Sequence, residues 1–156
     1  LGHEFSIVEA SIAVNRRQRL RMVDKIVAAL DGDVAGKIVG ILGLAFKPQT
    51  DDIREAPAID IIRGLLDRGA AIQAYDPAAM AEAGRMIPEM QLCKDAYEAC
   101  VDTDVVVIVT EWNEFRMLDL IRVKELVAEP RLVDLRNIYH ADRMKEAGFL
   151  YWGVGR

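Results

Sequence analysis

The 156 residues are 52% hydrophobic and 29% charged, with Gly 11, Pro 5 and Cys 2, which excludes a disordered chain, a collagen and a disulfide scaffold and leaves one main globular domain. Lys+Arg 20 against Asp+Glu 25 gives a formal net charge of -5, the wrong sign for a chain that coats nucleic acid or anionic membrane, so an anionic ligand has to be met by a local basic site. No apolar run reaches the roughly 18 residues that cross a bilayer, and the start lacks a basic stretch ahead of an apolar core, so a cytoplasmic chain with no nucleic-acid or membrane partner is expected. The chain begins at Leu1 rather than Met, and we expect it to be a fragment of something longer. From Ser6 to Leu30 the residues Ile7, Val8, Ile12, Leu20, Val23, Ile26, Val27 and Leu30 recur mostly at three- and four-residue spacing, which predicts one long helix stopped by Asp31-Gly32-Asp33. Arg16, Arg17, Arg19 and Arg21 in its middle form either a solvated face or a contact for an acidic partner.

After Gly36 short apolar runs alternate with helical stretches. KIVGILG, AAIQAYD, MQLC, DVVVIVT, RLVDL and FLYWGV read as strands; APAIDIIRGLLDRG, PAAMAEAG, KDAYEACV, FRMLDLIRVKELVAE and HADRMKEAG read as helices. Val105 to Val109 are apolar on successive positions, the mark of a strand covered on both faces, and intervening helices imply right-handed crossovers. The predicted fold is α/β: a doubly wound, mostly parallel Rossmann-like sheet with helices on both faces, preceded by the long helix.

Ligands of such sheets bind beyond the carboxyl ends of the strands. The first strand runs into a long polar loop, Leu44 to Pro57, where a dinucleotide fingerprint G-x-G-x-x-G would sit; only Gly40 and Gly43 are present, so this sheet is not expected to be the primary NAD site. The loop offers Lys47, a point cation, and Arg54, a planar fork suited to phosphate or carboxylate, although both could simply pair with Asp51, Asp52 or Glu55. Pro48 and Pro57 stiffen the segment, and Asp51 or Asp52 can accept backbone N–H groups within it. Asp76-Pro77 falls where a dinucleotide domain carries its ribose-binding acid and reads equally as a turn and helix entry, which we favour. Trp112 and Phe115 after the DVVVIV run either stack on a ring or plug the end of the sheet. Arg136 is a second anion contact or a surface pair. His3 and His140 are isolated, Cys93 and Cys100 fit neither a C-x-x-C pair nor a zinc knuckle and read as structural thiols, and no nucleophile elbow, H-E-x-x-H or P-loop occurs. The residues alone describe an anion-binding α/β domain with no catalytic set and no metal site.

GLAFKPQTDDIREAP resembles the signature of the UDP-glucose 6-dehydrogenases and the wider nucleotide-sugar dehydrogenase family, and AYDP, TEWNEF, VDLRNIY and the terminal YWGVGR follow in that family's order. The resemblance covers essentially the whole chain. It implies that residues 1–35 are the end of the central dimerisation and linker helix and that 36–156 are the carboxyl-terminal UDP-sugar-binding domain. It places the family's substrate lysine on Lys47, with Phe46 beside it, and its NAD-contacting arginine on Arg54; Arg136 matches a family arginine to which no firm role is carried. Relatives often have Asp-Pro after NIY where this chain has His140-Ala141, which should alter only the entry to the last helix. The family oxidises the sugar's primary alcohol in two NAD-linked steps through a cysteine. That cysteine, the catalytic lysine and the G-x-G-x-x-G of the amino-terminal NAD-binding domain have no counterpart here, so the fragment is expected to be inactive alone, to rely on that domain of the same parent chain for NAD, and to pair as a homodimer. The loop does not read the sugar, so UDP-N-acetylmannosamine or GDP-mannose dehydrogenases stay open beside UDP-glucose, which AFKP and TEWNEF favour. A non-enzymatic nucleotide-binding module or a response receiver is the reading from another class, but a receiver needs a phosphorylatable Asp where the DVVVIV run ends in Thr110.

Overall fold

The computed structural model describes residues 2–155, with side chains from Ser6 onward, so the side chain of His3 lies outside the described residues. Apolar residues on successive strand positions need cover on both sides, and the strand Val105–Ile108 receives it. Val105 and Val107 join one buried cluster with Val39, Ile41 and Val133, whereas Val106 and Ile108 join a second with Leu42 and Leu132. Six strands form the sheet: β1 (Ile38–Leu42), β2 (Ala71–Tyr75), β3 (Gln91–Leu92), β4 (Val105–Ile108), β5 (Arg131–Asp134) and β6 (Leu150–Gly153). Their order is β3-β2-β1-β4-β5-β6 and every pairing is parallel. Helices α1 (Gly2–Ala29), α2 (Pro57–Asp67) and α3 (Met80–Met86) cover one face. A 3-10 turn (Glu98–Cys100) with α4 (Asn113–Arg116), α5 (Leu120–Leu126) and α6 (Ala141–Glu146) covers the other. The doubly wound reading of the sequence therefore holds, and the sheet is parallel throughout.

Two segments read as single helices are not. In KDAYEACV the Asp95 carboxylate accepts the Glu98 N–H at 2.8 Å and the Glu98 carboxylate accepts the Lys94 N–H at 2.6 Å. Such local side-chain bonds compete with a helix and leave only one 3-10 turn. In FRMLDLIRVKELVAE the Asp119 carboxylate accepts the N–H groups of Ile121 and Arg122 at 3.1 and 3.2 Å, an N-cap that starts α5 afresh and separates it from α4.

Among the described side chains of α1, the packed ones lie in its carboxyl half. Val23, Ile26, Ala29 and Leu30 are buried, whereas Ile7, Val8, Ile12, Val14 and Leu20 are exposed, Ile7 by 69%. Asp31 and Gly32 end the helix at φ 61 and φ 90, as the sequence predicts. Arg131 of β5 donates to the Ala29 carbonyl and to the Asp31 carboxylate, each at 3.1 Å, so an unpaired carbonyl of the helix end gains a charged donor. Of the four arginines in the helix, Arg16, Arg17 and Arg21 are exposed, while Arg19 pairs with Asp60 and donates to the Glu55 carbonyl at 2.6 Å.

Cys93 and Cys100 are free and buried, as structural thiols should be. Burial, and then the neighbouring Cys93 and Asp95, pushes the Cys100 thiol up to about 12. Burial and then Glu114 push the Tyr75 hydroxyl to about 12 as well. Both groups hold their protons in the folded chain at a pH where the unfolded chain, with a thiol near 9.0 and a phenol near 10.0, releases them. Stability is therefore full below the unfolded values and is lost as pH rises through the folded ones. The thermal midpoint followed by circular dichroism should fall steadily above about pH 9, and the first part of that fall should be shallower in Cys100→Ala.

Candidate functional site

The strand order reverses between β1 and β4, so the chain leaving β1 and the chain leaving β4 part on opposite faces and open a crevice at the carboxyl end of the sheet. The exit from β1 hugs the end of β4. Gly43 has φ +101, and a Cβ there would lie 2.5 Å from Thr110 Cβ and 2.6 Å from its backbone N. The Thr110 hydroxyl donates to the Ala45 carbonyl at 2.8 Å, which closes the contact. Gly40 is equally a packing residue, because its Cβ would meet the Ala99 carbonyl oxygen at 2.5 Å. Neither glycine serves a pyrophosphate.

Asp76 ties this region together. It is 2% exposed; Oδ1 accepts the N–H groups of Ala78 and Ala79 at 2.8 and 2.9 Å, the turn and helix entry read from the sequence. Oδ2 accepts from Leu44 N–H at 2.8 Å, Ala45 N–H at 3.0 Å and the Trp112 indole N–H at 3.2 Å. With both oxygens occupied by protein donors, Asp76 has no oxygen left for a ribose. Together with the two packing glycines, this means that the residues at the crevice do not fit a dinucleotide of their own.

Beyond Ala45 the loop rises out of the core. Phe46 N–H donates to the Asp52 carbonyl at 2.8 Å, and the Phe46 ring is 50% exposed. Lys47 is exposed and forms no ion pair among the described residues. Arg54 lays its fork on Asp52, Nε to Oδ1 and Nη2 to Oδ2 at 3.1 Å each. The Arg54 guanidinium holds the Asp52 carboxyl below its ordinary range, with a smaller contribution from the Lys47 charge. Of the in-loop pairs open from the sequence, this one forms, but Arg54 is 88% exposed, and solvent-screened pairs of that kind are weak enough for a ligand to replace.

Arg136 follows β5 and Lys47 follows β1, the two strands that flank β4 in the sheet. Its N–H donates to Asp134 at 3.1 Å, and its Nε lies against Glu111 Oε2 as an ion pair that lacks hydrogen-bond geometry, leaving that buried oxygen without a donor. Phe115 is fully buried, with Tyr75 edge-on at 6.2 Å, and plugs the sheet; Trp112 is half-buried. Exposed His140 precedes α6 and makes no side-chain cap. No group of three or more His, Cys, Asp or Glu side chains among the described residues could hold a metal ion, and none of the described helices is long and apolar enough to cross a membrane.

Sequence reasoning missed Asp134 and underread Asp76. Asp134 is fully buried and accepts the N–H groups of Arg136 and Tyr139 and the Tyr151 hydroxyl at 3.1, 3.0 and 2.9 Å. The available signal was an Asp closing a strand in both AAIQAYD and RLVDL, since an acid at the end of a strand that runs into the core has to be buried with its donors.

Residues 40–141 match the sequence profile of the UDP-glucose/GDP-mannose dehydrogenase family, UDP binding domain. The chain is 45% identical over 150 residues to the UDP-glucose 6-dehydrogenase of Rhizobium meliloti (strain 1021), a match covering 96% of this chain and 34% of that protein. It is 42% identical over 156 residues to the UDP-glucose 6-dehydrogenase TuaD of Bacillus subtilis (strain 168), covering 99% and 34%. Among solved structures, a UDP-glucose dehydrogenase from the hyperthermophilic archaeon Pyrobaculum islandicum superposes with a TM-score of 0.76 at 31% identity, over 95% of this chain and 32% of that one. The chain thus spans about a third of the length of these relatives.

Gly43→Ala puts a side chain at positive φ against the backbone of Thr110, which cannot yield as a flexible side chain would. It should destabilise the chain by about 2 to 4 kcal/mol in urea unfolding, whereas Gly32→Ala, where a Cβ meets open space, should cost only about 1 kcal/mol through its positive φ.

Proposed function

The chain belongs to the UDP-glucose/GDP-mannose dehydrogenase family, as its UDP-binding domain, and we propose that it is the substrate half of a UDP-glucose 6-dehydrogenase, an enzyme that oxidises UDP-glucose to UDP-glucuronate with two NAD in the cytoplasm. Residues 36–156 form the UDP-sugar domain and residues 1–35 the end of the helix that joins it to the amino-terminal NAD-binding domain of the parent chain. The observation that carries this reading is Lys47, an exposed cation in the loop after β1 that forms no ion pair among the described residues, beside the half-exposed ring of Phe46.

Each residue has a chemical task in this reading. Lys47 meets the negative charge of the UDP-sugar through charge-assisted hydrogen bonds. Phe46 supplies an apolar surface next to it, and Arg136, itself exposed, adds a second cation once it leaves the Glu111 carboxylate. Arg54 stands off the body of the domain, and its fork turns from Asp52 toward an NAD held by the rest of the parent. This chain contributes no nucleophile: Cys93 and Cys100 are buried thiols whose proton affinity is raised by burial, the opposite of what a reactive cysteine needs. The domain binds and orients; alone it does not turn over UDP-glucose.

The exposed apolar residues on the amino-terminal half of α1, Ile7, Val8, Ile12, Val14 and Leu20, support a helix that pairs with a second copy. Light scattering should report twice the 17.4 kDa chain mass, and monomers at high concentration would contradict the pairing. Calorimetric titration tests the site. UDP should bind saturably and in preference to GDP, Lys47→Ala should weaken it about tenfold through the loss of one charge-assisted contact, and Arg54→Ala should leave it unchanged. A preference for GDP would move the chain to the GDP-mannose branch. No binding at millimolar UDP would overturn the reading of this chain as a working half-site.

A further inference from the structure

A doubly wound sheet of this strand order, when it binds a dinucleotide, turns the acid after its second strand outward to the ribose. Asp76 occupies that place and faces inward. Its five donors come from three different strand exits: Leu44 and Ala45 after β1, Ala78 and Ala79 after β2, and Trp112 after β4. The labour is divided between the two oxygens. Oδ1 serves only the turn into α3, whereas Oδ2 serves only the β1 loop and the indole from β4. None of the ion pairs among the described residues involves Asp76, so these N–H groups are what satisfies its charge.

The second set sits two residues from Lys47. Ala45 is held on both sides of its backbone, its N–H by Asp76 and its carbonyl by the Thr110 hydroxyl at 2.8 Å. Phe46 and Lys47 then leave the core, with one further backbone bond, Phe46 N–H to the Asp52 carbonyl, to steady the loop. We propose that Asp76 is a positioning residue for the ligand: through Oδ2 it fixes the backbone at Leu44 and Ala45, and so sets where the Phe46 ring and the Lys47 ammonium stand in the crevice. This rests on the reading of Lys47 as the UDP-sugar contact. An acid spent on ribose in a dinucleotide site is here spent on aiming a cation.

Asp76→Asn keeps the shape of the side chain but replaces one acceptor oxygen by an NH2 group. With the NH2 on the Oδ2 side, Leu44, Ala45 and Trp112 meet a donor; with it on the Oδ1 side they keep an oxygen that has lost the carboxylate charge, so in either orientation the three-membered set is held less strongly. The test is a double-mutant cycle read by UDP calorimetry. Asp76→Asn should weaken UDP about tenfold in the wild-type chain and less than about twofold in the Lys47→Ala background, because a misplaced lysine and a missing one lose the same contact. In a Trp152→Phe background, where Trp112 is the remaining tryptophan, its emission should shift to the red as the indole N–H loses its carboxylate. A general loss of structure would instead weaken UDP equally in both backgrounds. Should the Asn variant not fold, Trp112→Phe removes a single donor and carries the same cycle, with an expected weakening of about threefold that disappears in Lys47→Ala. Wild-type affinity in Asp76→Asn, or losses that multiply with Lys47→Ala, would overturn the positioning role. If Lys47→Ala by itself leaves UDP binding intact, it is the reading of the site that fails.

Discussion

A buried carboxylate with no cation beside it has to be surrounded by N–H and O–H donors, and this domain places two of them at the carboxyl end of its sheet. Asp76 after β2 and Asp134 at the end of β5 are 2% and 0% exposed. Each closes a strand that runs into the core, so each would be costly to bury unless the chain around it converged. Convergence is what the fold delivers. The exits of β1, β2 and β4 meet on Asp76, and the Arg136–Tyr139 segment and β6 meet on Asp134 through Tyr151. Tyr139, pushed well above its ordinary range by burial and the Asp134 charge, reaches back to the Phe115 carbonyl and so links the β5 exit to the plug after β4. The floor of the crevice is thereby a hydrogen-bonded surface, and the side chains proposed to meet ligand stand on it.

The same topology serves dinucleotide sites elsewhere, and the difference lies in a few atoms. A dinucleotide site uses glycines for close approach of backbone to pyrophosphate and an acid for the ribose hydroxyl. Here Gly40 and Gly43 admit protein instead, the Ala99 carbonyl and Thr110, and the acid binds amides. Strand order alone would have suggested the wrong ligand, which is why the function is read from the side chains around the crevice and the fold supplies only where to look.

What the sequence made legible was whatever depends on neighbours along the chain. Doubly apolar runs such as Val105–Ile108 announced buried parallel strands, and Asp31-Gly32 announced the end of α1, because both effects are local. Asp119 carried a legible N-cap signal as well, an acid directly before the apolar LIRV run, and heeding it would have split α5 from α4. The Asp76 cluster was half legible. Its bonds to Ala78 and Ala79 are a turn visible in AYDPAA, whereas Leu44 and Trp112 lie 32 and 36 residues away and reach Asp76 only because β2, β1 and β4 are consecutive in the sheet. Lys47 and Arg54 were found as cations, but spacing could not decide their partners: Asp51, Asp52 and Glu55 are all within reach, and it is the Asn-like turn at Asp52, accepting the Arg54 N–H at 2.9 Å as well as its fork, that selects one.

The loop that carries both cations is anchored twice, by different parts of the molecule. At its start, Asp76 and Thr110 grip Leu44 and Ala45. At its end, Arg19 of α1 grips the Glu55 carbonyl at 2.6 Å while pairing with Asp60 of α2. Glu55 sits at φ 58, next to Arg54, a backbone state that a non-glycine residue holds only when its surroundings impose it. A polar loop between two such anchors loses little further freedom when a ligand arrives. The second anchor has a further consequence, because α1 is the element whose outer half leaves its apolar residues uncovered. Arg19 stands on that helix just before its packed half, so the end of the loop bearing Arg54 takes its position from α1 and α2, and the end bearing Lys47 takes its position from the strand exits.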